Sequence, residues 1–349
     1  MNSTNFIMPA EWEKHEAVWL AWPHDKISFP PSHIENVEKG YVEIIKALSD
    51  SEKVMLLVLN EEMKQKVSGM LNKDEVNISN VTFITTEYAD IWIRDYGPMF
   101  VANREDKKLA WIKWQYDAYS KKFPKLIKDN RVFCELKDSI NSAMLEGNMV
   151  LEGGSIEQNG HGTILTTEQC LLNSGRNPNL NKEQIENNLK SFLGASNIIW
   201  LKQGLKNDHT DGHIDDITRF VSPDTILCAW EENEDEENHH ILKKNFEDLK
   251  KSLDQNKKPF KLIKLQVPHL EYDQNKPFEA GGKAPVSYTN FYIGNTVVLV
   301  PTYNDPNDEK ALEIIQSCFP NRKVIGIDSR DLIYGGGSIH CITQQQPAI

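Results

Sequence analysis

The stretch from Ile217 to Trp230, ITRFVSPDTILCAW, decides the fold. Two runs rich in β-branched and aromatic residues flank Ser-Pro-Asp, a turn signal, so the stretch reads as a β-hairpin. Beyond it, Leu242, Phe246, Leu249 and Leu253 recur at helical spacing. FKLIKLQV (260–267) then reads as another strand. The order is strand, strand, helix, strand.

That order returns along the chain. NFYI (290–293) and TVVLV (296–300) flank Gly294-Asn295, a hairpin turn. Leu312, Ile315 and Phe319 follow on one helical face, and KVIGID (323–328) reads as the closing strand. Earlier, GTILTTE (162–168) precedes a helix aligned by Ile185, Leu189, Phe192 and Leu193. Gly194 stops that helix, and NIIWL (197–201) follows. Near the start, AVWLAW precedes a helical stretch through Ile44, Ile45 and Leu48, then VMLLVLN. The unit recurs every 60–70 residues or so, and about five units fit the chain. A doubly wound sheet alternates single strands with helices, so the hairpins argue against it. Units set around an axis would bring the segments that follow their last strands together. Three such segments are polar: DIWIRDYGP (90–98), NDHTDGHIDD (207–216) and YGGGSIHC (334–341).

No low-complexity segment or Pro/Gly linker divides the 349 residues, so a single catalytic domain over 1–349 is expected. The formal charge of −12 disfavours nucleic acid and anionic lipid and favours a cationic ligand. No apolar run reaches membrane-spanning length, and MNSTNFIMPAEWEKHEAVW lacks the features of a signal peptide. The cytoplasm is the expected compartment. The five cysteines are odd in number and include no CxxC, which points to neither a disulfide framework nor a zinc ribbon. Cys134, Cys170, Cys228 and Cys318 read as small buried hydrophobes. Cys341 differs, with Gly, His, Thr and Gln as its neighbours.

Each polar cluster has a plain and a chemical reading. DIWIRDYGP sets Asp90 and Asp95 around Trp92 and Arg94. The plain reading is an Arg–Asp pair bracing the turn at Gly97-Pro98. Glu152 in LEGGSI reads plainly as a solvated acid at a turn. In HTDGHIDD, His213 and Asp215 would share one face of an extended segment. Five ionisable residues in eight, followed directly by an apolar strand, suit a site better than a solvated loop. A thiol with an imidazole suggests nucleophilic catalysis. Asp95, Glu152 and Asp215 exceed the acid an acyl transfer needs. Carboxylates beside a thiol make sense for a cationic substrate, because a carboxylate pairs bidentately with a guanidinium.

The chain resembles the agmatine deiminase and bacterial peptidylarginine deiminase group of guanidino-modifying enzymes over nearly its whole length. The resemblance is carried by MPAEWEKHEAVWLAWP (8–23), DIWIRDYGPMFV, LEGGSI, TTEQCLLNSGRNP (166–178), DGHIDDITRF, SYTNFYI (287–293), VPTYNDPND (300–308) and GGGSIHCITQQQP. It implies an α/β five-bladed propeller, the pentein fold, with the site on its axis. It also implies hydrolysis of a guanidine to a urea and ammonia without metal or organic cofactor. Residue by residue, Cys341 matches the nucleophile and His213 the acid/base. Asp95 and Asp215 match the carboxylates holding the guanidinium, Glu152 a residue supporting His213 and substrate, and Trp92 a surface against the planar cation. His209 stands where the agmatine-specific pattern has an acid, which leaves recognition of the substrate's far end open.

Four readings follow. Agmatine deimination to N-carbamoylputrescine leads, because no extra Arg near the motifs is evident to bind an α-carboxylate. Free or peptidyl arginine is the alternative substrate. A metal hydrolase using His209, His213 and Asp215 suits His-x3-His on a helix, but Gly212 argues against a helix and Cys341 would be idle. A non-catalytic binding protein would not need every matched residue. The expected partner is a small guanidino cation, with neither nucleic acid nor membrane. A homodimer is compatible with the sequence.

Overall fold

The computed structural model describes residues 5–26, 28–270 and 284–349. Five small mixed sheets form a five-bladed α/β propeller. The second blade joins β4 (Met99–Asn103), β5 (Lys108–Gln115) and β6 (Ala143–Val150). The third joins β7 (Ile156–Gln158), β8 (Thr163–Thr167) and β9 (Asn197–Leu201). The fourth holds β10 (Thr218–Ser222), β11 (Thr225–Trp230) and β12 (Lys261–Gln266), and the fifth β13 (Tyr292–Ile293), β14 (Val297–Thr302) and β15 (Lys323–Asp328). In each, the first two strands pair antiparallel and the third returns parallel to the second. An antiparallel pair needs only a tight turn, whereas the parallel return needs a crossover, and this difference imposes the repeating order.

The first blade is built from both ends of the chain. β1 (His15–Ala21) runs parallel to β2 (Lys53–Val58), and β3 (Val81–Thr85) adds outside β2 after a second helix, Glu61–Lys73. The antiparallel partner of β1 is the last strand, β16 (Gln344–Pro347). Trp19 Nε1 donates to Gln346 Oε1 at 3.0 Å and Gln344 Nε2 to the Pro98 carbonyl at 2.9 Å, fixing this closure. The closing strand explains why Cys341 sits three residues from an ordered element rather than on a frayed end.

The crossover helices read from hydrophobic spacing are present at Pro31–Ser49, Lys182–Leu193, His239–Lys251 and Asp308–Cys318. Gly194 ends the second of them in the left-handed region, φ 70°, with its N–H on the Lys190 carbonyl. Leu253 is an exception: it falls beyond Lys251 and is exposed, because Ser252 leaves helical geometry. In the second blade the crossover is a chain of short turns over 118–139 instead of a helix.

Five apolar clusters fill the seams between neighbouring blades. Trp19 and Leu57 meet Phe100 and Trp111 between the first two, and Val18 and Leu56 meet Leu299 and Ile327 where the fifth closes on the first. The other three seams are built alike. Among the described residues, no helix is long and apolar enough to cross a membrane.

Candidate active site

After the last strand of every blade, the chain turns inward. β3 leads to Trp92, Arg94 and Asp95, and β6 to Glu152 and Gly154. β9 leads to His213 and Asp215, β12 to Thr289 and Asn290, and β15 to His340 and Cys341. These residues are buried. Gly154 marks where three of them, His213, Asp215 and Asp95, meet. A Cβ placed on it would fall 2.5 Å from His213 Nδ1, 2.9 Å from Asp215 Oδ2 and 3.1 Å from Asp95 Oδ1. Only glycine leaves that space open.

Each group is held from behind. Asp95 accepts the Gly154 N–H at 3.0 Å and the Tyr119 hydroxyl at 2.8 Å. Glu152 receives Arg176 Nε at 2.9 and 3.0 Å, and Arg176 Nη1 reaches Asp211 at 2.9 Å. Asp208 accepts the backbone N–H groups of Thr210, Gly212 and His213 and shapes the turn that delivers the imidazole. His213 and Asp215 are not on an extended segment: His213 precedes a short 3-10 turn, Ile214–Asp216, that contains Asp215. They converge through that turn rather than through strand alternation.

His340 bridges the site to a buried ionic cluster. Its Nδ1 is 2.6 Å from Asp215 and its Nε2 is 2.9 Å from Glu11. Glu11 also meets Arg219 at 2.9 Å and Arg94 at 3.5 Å, and Arg219 meets Glu157 at 3.0 Å. Arg94 therefore does not brace Asp90 or Asp95, contrary to the plain reading of DIWIRDYGP. Its guanidinium faces the closing strand, donating to Gln345 Oε1 at 2.8 Å. Asn290 Nδ2 donates to Asp216 at 2.9 Å and lies 3.3 Å from Cys341 Sγ.

Charge follows from these neighbours. Burial opposes a charge on Asp215, but His340, His213 and Arg219 outweigh it and depress its pKa. Burial also opposes a charge on His213, yet Asp95, the Cys170 thiol and Asp215 hold its pKa well above the ordinary range. Asp95 is raised by burial, with His213 opposing that rise. The Cys341 thiol is pushed well up, by burial first and then by Asp215, Asp216 and Asp95. Among the described residues, neither ring nitrogen of His213 nor Asp215 Oδ1 has a hydrogen-bond partner, although all are buried; the Cys170 sulfur is near the imidazole but makes no hydrogen bond to it. Such orphaned groups are costly unless a ligand satisfies them.

A cavity of about 300 Å³ leads from this centre outward. Trp92, Tyr119, Phe123 and Leu126 give it apolar walls, with Cys341 and Asp95 at its base and His209 along its side. Trp92 is fixed by its indole N–H on Asp90 at 3.0 Å, and burial pushes Asp90 up to about 7. A Cβ on Gly337 would fall 2.7 Å from the Trp92 ring, so glycine there lets the indole approach the loop closely. The Tyr119 wall is unusual. Ala118, Tyr119, Ser120 and Lys121 take φ of 60°, 58°, 61° and 65°, four successive non-glycine residues in the left-handed region. Each costs about 1–2 kcal/mol relative to a right-handed conformation.

All the site residues read from sequence meet here, with His209 and Trp92 on the cavity walls. Two cysteines depart from their reading as buried: Cys134 is exposed and Cys318 half-buried. Cys170 is buried in an apolar cluster as read, and its sulfur also lies near Glu152 and His213. Glu152, Cys170 and His213 place ligand atoms within 4.8 Å of one another, the sole potential metal trio among the described residues. It differs from the His209–His213–Asp215 set. Arg176 occupies both Glu152 oxygens, so a cation there would face a guanidinium. Tyr119 and Asn290 went unread; Tyr119 lies in a segment without hydrophobic periodicity, and Asn290 within SYTNFYI looked like strand.

The family model for Porphyromonas-type peptidyl-arginine deiminase matches residues 7–347. The chain belongs to that family. A Legionella pneumophila (strain Paris) protein, provisionally named an agmatine deiminase, is 36% identical over 98% of this chain and 95% of its own. The structure of the Enterococcus faecalis agmatine deiminase superposes with a TM-score of 0.90 at 31% identity, covering 99% of this chain and 96% of that one. A cysteine-to-serine variant of the C. jejuni agmatine deiminase with substrate bound gives a TM-score of 0.86 at 32% identity, covering 98% and 96%. Like these relatives, this member of the deiminase family carries the five-bladed frame from end to end.

Proposed function

We propose that the protein hydrolyses agmatine to N-carbamoylputrescine and ammonia through an amidino intermediate on Cys341. The observation that carries this reading is the convergence of His213, Asp95 and Asp215 around Gly154, with Glu152 two residues away along the chain and Cys341 lining the same cavity as Asp95, while Asp215 Oδ1 and both His213 nitrogens find no hydrogen-bond partner among the described residues. A planar cation supplies the donor that Asp215 Oδ1 lacks. Asp95 and Asp215 pair with guanidinium N–H groups, and Trp92 lines the approach. The bound cation also offsets the acids that hold the thiol protonated, so the nucleophile ionises with substrate in place, its proton passing to solvent through the cavity and balancing the ammonium finally released.

Cys341 Sγ then forms a bond to the guanidinium carbon. His213, held protonated by its neighbours, gives its proton to the departing ammonia as the carbon–nitrogen bond breaks. Neutral His213 next takes a proton from water, whose oxygen attacks the amidino carbon. The carbon–sulfur bond breaks, releasing the urea and restoring the thiol. Glu152, pinned by Arg176, fixes the imidazole's surroundings. No step in this scheme is assigned to a metal or organic cofactor.

The small cavity supports a compact guanidine over a peptide, and its wall carries both acids, Asp25 and Asp90, and lysines, Lys122 and Lys125. Ammonia release across agmatine, arginine and an arginyl peptide tests the choice. Agmatine should exceed both others by about tenfold or more in kcat/KM, the equivalent of one charged contact. Faster turnover of arginine or the peptide would move the assignment to that substrate. No ammonia from any guanidine would overturn the chemistry.

A further inference from the structure

We infer that Tyr119 is a positioning residue that aims the Asp95 carboxylate at the substrate, and that the left-handed turn at Ala118–Lys121 exists to deliver its hydroxyl. The inference rests on the deiminase reading of this site. Among the described residues, Asp95 has one donor on each oxygen: Gly154 N–H on Oδ1 at 3.0 Å and the Tyr119 hydroxyl on Oδ2 at 2.8 Å. Two donors fix the plane of a carboxylate and leave a second lone pair on each oxygen. Those lone pairs are what a guanidinium fork requires, and a carboxylate free to rotate would meet it in one orientation among several.

The turn is held at several points. Asp117 accepts the Ser120 N–H at 2.9 Å, and the Asp117 carbonyl accepts the Lys121 N–H at 3.0 Å. Lys122 ties the turn to the opposite wall, donating to the His209 carbonyl at 3.1 Å and pairing with Asp211. Asp211 in turn pairs with Arg176, which holds Glu152. The Tyr119 ring packs edge-on against Tyr116 at 5.5 Å and lies 6.1 Å from the His213 ring. Backbone strain in a non-glycine segment persists where surrounding contacts over-determine it, and it gathers at functional sites. Here one of the strained residues, Tyr119, lines the cavity that leads to Cys341.

Tyr119→Phe keeps the ring and removes the donor. The charged and titratable groups facing Asp95 are His213, Asp215, Glu152, Cys341 and Tyr116, and none of them is altered. Losing a donor to the ionised form raises the Asp95 pKa further. Turnover needs the carboxylate, so the acid limb of the kcat/KM–pH profile should move to higher pH by about half to one unit. At neutral pH kcat/KM should fall by about tenfold, with thermal unfolding little changed. A merely structural tyrosine would alter unfolding and leave the limb in place. If Tyr119→Phe does not fold, Lys122→Met serves instead, because it cuts the tie and keeps the hydroxyl, and it should move the same limb the same way by less. An active wild type whose acid limb is unmoved in the folded variant overturns the role of Tyr119 alone. A wild type inactive on every guanidine overturns the deiminase reading.

Discussion

Cys341→Ser is expected to lose at least about four orders of magnitude in kcat while the fold survives, since removing a covalent nucleophile typically costs that much or more. Guanidinium carbon is a poor electrophile, because its charge is spread over three nitrogens. A thiolate attacks it, whereas a serine hydroxyl ionises far less readily. The exchange is nearly isosteric, and Cys341 is held by its neighbours on the 338–343 turn rather than by its sulfur alone. Binding should therefore persist: agmatine should still raise the variant's unfolding temperature while ammonia release disappears. A serine variant that keeps even a hundredth of wild-type kcat would remove Cys341 from the bond-forming step.

Asp215→Asn and Asp95→Asn are each expected to lower kcat/KM by two to three orders of magnitude or more. Deleting one partner of a buried, hydrogen-bonded charge pair costs about 3–5 kcal/mol, which converts to losses of that size. The two losses arise differently. Asp95 faces His213 across 3.8 Å and is braced by neutral donors, so its variant loses the guanidinium contact and part of what keeps His213 protonated. Asp215 also anchors His340 at 2.6 Å, so Asp215→Asn additionally leaves a buried imidazole facing an amide. The Asp215 variant should therefore be the less stable of the two in thermal unfolding. A loss below tenfold for either would mean that its carboxylate does not hold the substrate.

The fold was legible because its repeat is written in hydrophobic periodicity. A hairpin, an amphipathic helix and a buried strand each leave a local signature, and β10 to β12 show all three. The ring closure was less visible, because β16 is Gln-Gln-Gln-Pro and carries almost no apolar pattern. Its place is set by pairing with β1, which is distant in sequence. The left-handed turn was silent for a related reason: Ala118–Lys121 contains no glycine to announce positive φ. The candidate site was readable where residue types are chemically rare together, as in HTDGHIDD and SIHC. It was unreadable where ordinary residues are brought in by the ring, as with Glu11, Asn290 and Tyr119. Cys170 packs in the core as read, and its nearness to the His213 imidazole left no local signal because a buried cysteine beside leucines looks the same either way. His213 and Asp215 illustrate the opposite case, since they meet as expected but by way of a 3-10 turn.

The central claim is a covalent bond between Cys341 and the guanidinium carbon. Its most direct measurement is mass spectrometry of enzyme quenched in acid during turnover of agmatine, with the modified peptide sequenced. The account predicts an adduct equal to agmatine less one ammonia, confined to the peptide carrying Cys341 and absent from those carrying Cys134, Cys170, Cys228 and Cys318. Steady turnover with no adduct under rapid quench, and activity that vanishes with a chelator and returns with zinc, would contradict it.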